Sequence, residues 1–393
     1  MRLKTKHDLN IMSKEINAFY TSEAYLPNSQ STGQPSARMR KAGRRPVLLV
    51  IPEMSGPKPS PCSYIRLLAT LLSPAIQKQF EVRFSSLKQA THIFADIVLV
   101  NRVPCEQEAD LYPFFAHVKE IGATLIYEID DNLLKLHDNH PEVKTYKNRE
   151  AVVSALVVQA DRVWTSTEHL SEALRPLNSH VATFENYLDL EQLATINVAP
   201  LASGAGAKFR ILYMGTMTHA MDLDIVLNAM RKLHSEGIDF ELSLIGITAS
   251  APSEKWIKVI HPPESASSYP QFMQWLRSLP RFDLGIAPLE SVLFNSCKSP
   301  IKYWDYTSIG IPTLASDVVT YNGIIEDGET GFLANNSTEE WYEKIKFIIQ
   351  NQRQLGEVLN NATRALSDLA RKINGIELRK AALLNSLNNH PQE

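Results

Sequence analysis

No apolar run in the 393-residue chain approaches eighteen residues, so nothing in it reads as a membrane-spanning helix. The N-terminus has scattered charges and no apolar core of the kind a secretory signal carries. Cysteine is scarce. Cys62, Cys105 and Cys297 are odd in number and far apart, which argues against a disulfide framework or a zinc site and fits a reduced, cytoplasmic setting. The formal charge of -3 gives no general attraction to nucleic acid. His137, His140 and His169 show no metal-ligand spacing and read as solvated.

What is present is a globular composition, 44% hydrophobic and 21% charged, in a length that allows two domains. Charge is concentrated at the start. Residues 1–45 carry nine Lys or Arg against three Asp or Glu, with "ARMRKAGRR" the densest run. The preceding "PNSQSTGQPS" is poor in apolar residues, so this stretch reads as a disordered basic tail. The alternative is electrostatic contact with an anionic membrane surface, which would put the protein at the inner face of the membrane.

From Pro46 short apolar runs alternate with helical patterns: "VLLVIP", "SYIRLLATLL", "FEVRFSS", "ADIVLVNRV", "LYPFFAHVKEIG", "ATLIYEID", a helix from about Asn148 to Ala160, then "ADRVWTST". Such alternation predicts a parallel sheet covered on both faces. "APLASGAGA" reads as flexible, and residues 201–207 are taken as a linker. A second alternating series opens at Lys208 with "FRILYMG". The expected architecture is α/β: two Rossmann-like doubly wound domains, 46–200 and 208–372, facing a cleft, with 373–393 as a helix packing across them. In such sheets ligands bind beyond the carboxyl ends of the strands.

"KSPIKYWDYTSIGIPTLAS" follows the buried strand "FDLGIAPL". Ser299 suits an N-cap, Pro300 the first helical position, and Gly310 the position just past the helix end. A helix N-terminus at that sheet edge offers free N–H groups and a positive dipole end, and Lys298 and Lys302 add charge. Asp305, farther along the helix, suits sugar hydroxyls beside a bound phosphate. A capped surface helix with solvated lysines is the other reading of this stretch alone.

The block from Asp283 to Ala334, with "ILYMGTMTHAMDLDIVLNAM", "ADRVWTSTEHLSEAL" and "FENYLD", resembles the group 1 glycosyltransferases, retaining enzymes of the GT-B fold. Together these pieces cover most of residues 46–350. The resemblance implies a nucleotide-diphosphate sugar as substrate, no cofactor and no obligatory metal. In that family two glutamates eight positions apart bracket the phosphate loop. The second falls on Asp305, seven residues before Pro312, and the first falls on Cys297, a departure that removes a carboxylate. The family's usual Arg and Lys after the first strand of this domain are also missing. That strand ends Gly215-Thr216-Met217-Thr218-His219. The donor-binding set is therefore expected to be Gly215, Thr216, His219, Lys298, Ser299, Lys302 and Asp305, with Gly215 giving close backbone approach.

"IYEIDDNLLKL" ends a strand on Asp130 and Asp131. Asp131-Asn132 could simply cap a following helix. Two adjacent carboxylates with no third ligand in view make a poor metal site. The resemblance puts Asp130 where the family's active-site histidine lies, so Asp130 and Asp131 are expected at the catalytic centre. Arg102, at another strand end, either binds an anionic acceptor or pairs with Asp130 or Asp131. Tyr64 and Arg66 follow the Pro-rich first loop and are expected, with Arg102, at the acceptor pocket. Glu53, in that same loop, reads as acceptor pocket or plain surface.

The expected activity is transfer of a sugar, of the hexosyl type, from a nucleotide donor to a glycan or lipid-linked acceptor, with retention, in cell-surface polysaccharide synthesis. The alternatives are a non-catalytic binding or scaffold domain of the same fold, favoured by Cys297 and the missing Arg/Lys pair, and a nucleotide-sugar epimerase.

Overall fold

The computed structural model describes residues 44–136, 142–188, 208–215, 220–246 and 254–388. The basic tail up to residue 43, the 201–207 linker, Thr216, His219, His137 and His140 lie outside the described residues.

The two doubly wound domains expected from the sequence are what the chain forms. The first sheet contains β1 (Val47–Ile51), β4 (Glu81–Phe84), β5 (Ile97–Asn101), β6 (Thr124–Ile129), β7 (Arg162–Thr165) and β8 (Val181–Thr183), in the order β4-β1-β5-β6-β7-β8. A small antiparallel pair, β2 (Met54–Ser55) and β3 (Lys58–Pro59), occupies the loop after β1. The second sheet contains β9 (Phe209–Met214), β10 (Phe240–Ile245), β11 (Ile257–Ile260), β12 (Leu284–Ala287), β13 (Thr313–Ser316) and β14 (Phe332–Ala334), in the order β11-β10-β9-β12-β13-β14. All pairings within both sheets are parallel.

β1 shows why unbroken apolar runs mark these strands. Val47, Leu49 and Ile51 enter the core on one face of the sheet, and Leu48 and Val50 the core on the other. Alternate side chains point to opposite faces, and helices cover both, so every position is apolar. β9 repeats the pattern, with Ile211 and Tyr213 on one face and Leu212 and Met214 on the other.

The strand order reverses direction between β1 and β5 in the first sheet and between β9 and β12 in the second. Crevices open at such points, outside the carboxyl ends of the strands. Glu53 and Arg102 follow β1 and β5; Gly215 follows β9.

After the long helix Leu355–Ile373, Asn374 turns the chain with φ 41°. The last helix, Gly375–Asn388, then packs on the first domain. Leu383 is fully buried there with Leu48, Val50, Ile97 and Leu99, and the Thr124 hydroxyl donates to the Ser386 carbonyl at 2.9 Å. Among the described residues no helix is long and apolar enough to cross a membrane.

Candidate active site

The helix of the "KSPIKYWDYTSIG" segment runs from Ile301 to Ser308 and is anchored by one side chain. The Tyr306 hydroxyl accepts from the Met214 N–H at 3.0 Å and lies 3.1 and 3.3 Å from the carbonyls of Ile286 and Leu212. These are the ends of β9 and β12, so Tyr306 fastens the helix at the switch point. Glycine at 285 makes the fit possible, because a Cβ there would lie 2.6 Å from the Tyr306 ring.

The N-terminus differs from the sequence expectation by one residue. Pro300 occupies the cap position and no side chain caps the helix; Ser299 is not the N-cap. Its hydroxyl accepts instead from the Asn186 amide of the first domain at 2.8 Å, a partner the local sequence does not reveal. Gly310 follows the helix with φ 81°, as its place in the sequence suggests. At Gly215 a Cβ would come within 2.9 Å of the Tyr213 hydroxyl, and a Cβ on the neighbouring Gly246 would come within 2.2 Å of the Gly215 carbonyl oxygen, so two glycines let these backbones approach.

Lys302 and Asp305 lie one turn apart on the same side of the helix. The Lys302 ammonium stands 5.6 Å from the Tyr213 ring centre. Burial, with the charge of Lys298 adding to it, pulls Lys302 down to about 8, against the opposing pull of Asp222 and Asp305. Asp305 accepts a 2.5 Å hydrogen bond from the Tyr269 hydroxyl. Burial pushes the Asp305 carboxyl up to about 7, although Tyr269, Arg277 and Lys302 pull it down. Lys298 lies above the Phe294 ring, 4.7 Å from its centre.

Across the cleft, Arg102 gathers the acidic groups. Its guanidinium bonds Asp130, reaches Asp131 at 3.0 Å, lies 3.0 Å from the Glu53 carboxylate and donates to the Tyr146 hydroxyl at 3.1 Å. The Arg102 backbone is left-handed, φ 51°, which costs a non-glycine residue roughly 1–2 kcal/mol. Its N–H donates to Glu128 O at 2.9 Å and its carbonyl accepts from Tyr127 at 3.0 Å, and these bonds hold the turn. Burial pushes the Asp130 carboxyl up; Arg102, a bond from Cys62 and the charge of Arg66 outweigh it and hold Asp130 below the ordinary aspartate value.

The acceptor set needs correction. Arg66 is 1% exposed and fully engaged by Glu128, Phe184 O, Asn186 and Thr165 O, so it cements the first domain and does not line a pocket. Of the two roles left open for Arg102, the structure has the ion pair. Tyr64 does face the cleft, with its ring centre 5.8 Å from that of Tyr269 in the second domain. Nearby, the Lys58 ammonium donates to Ser267 at 2.7 Å.

Cys297, where the resemblance places the first glutamate, is 1% exposed and part of the domain contact. The Asn132 amide approaches its sulfur at 3.7 Å, and the Thr167 hydroxyl donates to its carbonyl at 2.8 Å. Asn132 is next in sequence to Asp131, so the acidic end of β6 and the loop before the Ile301–Ser308 helix meet directly. Asn132, Tyr146, Asn186 and Tyr269 were not among the expected site residues. Glu53, left open between acceptor pocket and plain surface, lies two residues beyond β1 at a switch point and meets Arg102.

Two Rossmann-like domains with their carboxyl edges face to face define the GT-B fold. Residues 208–351 match the family model described as "Glycosyl transferases group 1". The chain is similar in structure to Anabaena Alr3699/HepE in complex with UDP-glucose, at 14% identity and TM-score 0.57 over 86% of this chain and 99% of that one. It is similar to sucrose-phosphate synthase from Thermosynechococcus elongatus, at 12% identity and TM-score 0.62 over 88% and 99%. It is also similar to a glycosyltransferase from Rickettsia africae, at 13% identity and TM-score 0.54 over 88% and 100%. No curated protein matches it in sequence.

Proposed function

We propose that the protein transfers a hexosyl group from a nucleotide-diphosphate sugar to a glycan or lipid-linked acceptor, with retention, in the making of cell-surface polysaccharide at the cytoplasmic face of the membrane. One observation carries the donor half of this reading. Lys302 and Asp305 share one side of a helix that Tyr306 fixes at the switch point of the second sheet, opposite Asp130 of the first. An ammonium and helix N–H groups suit a diphosphate, and a carboxylate one turn away suits ribose hydroxyls.

The chemistry is electrostatic. Lys298 and Lys302 stabilise negative charge growing on the departing diphosphate. Asp130, kept ionised by Arg102, faces the sugar as positive charge grows on its ring or takes the acceptor's proton. Thr216 and His219 complete the donor set in this reading. The basic tail supplies the membrane contact.

The Anabaena structure holds UDP-glucose, which makes UDP the first ligand to test. Calorimetry of the full chain with UDP, GDP and their sugars is expected to show binding that Lys302→Ala weakens at least tenfold. Equal affinity in wild type and Lys302→Ala refutes the donor site. Cys297, buried where a carboxylate is expected, favours a second reading: a nucleotide-sugar-binding domain without turnover. Tight binding with no hydrolysis and no transfer to any acceptor selects it.

A further inference from the structure

Asn186 is buried where the domains meet, with both ends of its amide in use. Its oxygen accepts from Arg66 Nη1 at 2.9 Å, and its nitrogen donates to the Ser299 hydroxyl at 2.8 Å. A guanidinium can only donate, so the amide oxygen has to face Arg66 and the nitrogen has to face Ser299.

Arg66 is itself fixed. Its Nε donates to Glu128 at 2.5 Å, Nη1 also reaches Phe184 O at 2.6 Å, and Nη2 donates to Thr165 O at 3.0 Å. The other Glu128 oxygen accepts from the Asn101 amide at 2.5 Å. The Asn101 oxygen in turn accepts from the Ser63 hydroxyl at 2.6 Å and from the Glu53 N–H at 3.3 Å. Ser63, Arg66, Asn101 and Glu128 are all fully buried or nearly so. A buried network paired at every step holds its members rigidly. It begins beside Glu53, at the switch point of the first sheet, and its last member is Ser299, in the loop before the Ile301–Ser308 helix.

The consequence falls on the Ser299 hydroxyl. Its oxygen takes a hydrogen from Asn186, so its own hydrogen has to point away from that amide. Ser299 is half-buried and adjoins Lys298, and both line one cavity at the domain boundary. A hydroxyl hydrogen directed there, beside an ammonium, suits an anionic oxygen. We propose that Asn186 is a positioning residue of the donor site: held by Arg66, its amide turns the Ser299 hydroxyl so that it donates to an oxygen of the bound diphosphate, beside Lys298. The proposal rests on the donor-site reading above, and adds that a residue of the first domain sets the donor affinity of the second.

The probe is UDP or GDP, whichever the wild type binds more tightly, titrated into the full chain by calorimetry. Asn186→Leu removes both amide groups at similar volume, and Arg66 keeps its bonds to Glu128, Phe184 O and Thr165 O. It is expected to weaken the nucleotide about three- to tenfold, because a hydroxyl no longer held loses its direction. In Ser299→Ala the same change is expected to have no further effect, whereas with Lys302→Ala the two losses multiply. A residue that merely supports the fold would weaken binding alike in all three backgrounds. Asn186→Asp keeps an acceptor for Arg66 and offers Ser299 a carboxylate oxygen, which takes the hydroxyl hydrogen for itself. It is expected to weaken the nucleotide about tenfold or more with Tm no lower than wild type. Undiminished affinity in either Asn186 variant, with Lys302→Ala weakened, overturns the positioning role alone, as does a full Asn186→Leu loss in Ser299→Ala. If neither nucleotide binds the wild type, or Lys302→Ala binds as tightly as wild type, the donor site is refuted and the positioning role falls with it.

Discussion

The Arg102 guanidinium bonds Asp130, the residue just past the neighbouring strand, from a left-handed backbone position at the switch point of the first sheet. The same guanidinium also meets Asp131 and Glu53, so one cation holds three carboxylates in place. Removing it leaves negative charges together in a half-buried site. Arg102→Met is expected to cost about 3 kcal/mol in urea denaturation, because breaking a buried pair strands its partners. Arg102→Met/Asp130→Asn should recover part of that loss, and the double-mutant cycle measures the coupling. Additive losses would show that the pair contributes nothing beyond its separate residues.

Donor binding should depend on pH through Lys302. Its ammonium, pulled down to about 8 mainly by burial, loses its proton as pH rises through that value. UDP affinity should fall over the same range. Lys302→Arg carries a charge that does not titrate below about pH 12, so it should flatten the fall. Calorimetric titrations from about pH 6 to about pH 9 read this directly. An identical decline in Lys302→Arg would assign the dependence to another group.

Asp305 gives a stability prediction of definite sign. Burial raises its carboxyl to about 7 in the folded protein, above the unfolded value of about 3.9. Its contribution is present at low pH and is lost as pH rises through about 7. Asp305→Asn, which never ionises, should therefore gain in Tm on the wild type between about pH 4 and about pH 7 and keep a level margin above that. A constant Tm difference across that range would contradict the shift.

Much of the fold was legible because both sheets are buried on both faces. Runs such as "VLLVI" and "FRILYM" have no other stable home in a chain of this composition. The helix Val143–Gln159 shows the limit. Its buried residues, Val152, Val153, Leu156 and Val157, all lie in its second half, so the sequence marks only that half. Asp130 could be placed at a carboxyl edge because it directly follows a strand, and Lys302 and Asp305 could be placed one turn apart because the helix after "FDLGIAPL" is marked at both ends by Pro300 and Gly310. Asn186 could not, because it enters through a contact between the domains, nor could Tyr269, whose bond to Asp305 spans 36 residues; no local pattern encodes either. Arg66 misled for the same reason. Its position after the first loop suggested a pocket, while its partners lie 62 to 120 residues away.

Cys297 tests whether the missing carboxylate is tolerated here. The sulfur is packed beside Asn132 in the domain contact, where burial, with the Asp131 charge adding to it, opposes ionisation of the thiol. Cys297→Ala should cost only about 1 kcal/mol, as for a small buried truncation. Cys297→Glu places a carboxylate near Asp131 in a dry contact and should cost about 3 kcal/mol or more unless the domains part. Urea midpoints compare the two. A Cys297→Glu protein as stable as wild type and tighter for a nucleotide sugar would mean that the contact opens readily enough to admit the family's carboxylate.

The last helix follows the second domain in sequence and completes the first in space. Leu383 is fully buried in the face formed by Leu48, Val50, Ile97 and Leu99. Leu383→Ala should cost about 2–5 kcal/mol, the range for a buried leucine that leaves a cavity. The loss should fall on the first domain alone. Hydrogen exchange should show weakened protection in β1 and β5, with β9 and β12 unchanged, because local opening follows the unit in which the contact is made. Equal weakening in both domains would mean that they unfold as one body, with the returning helix acting as the tie.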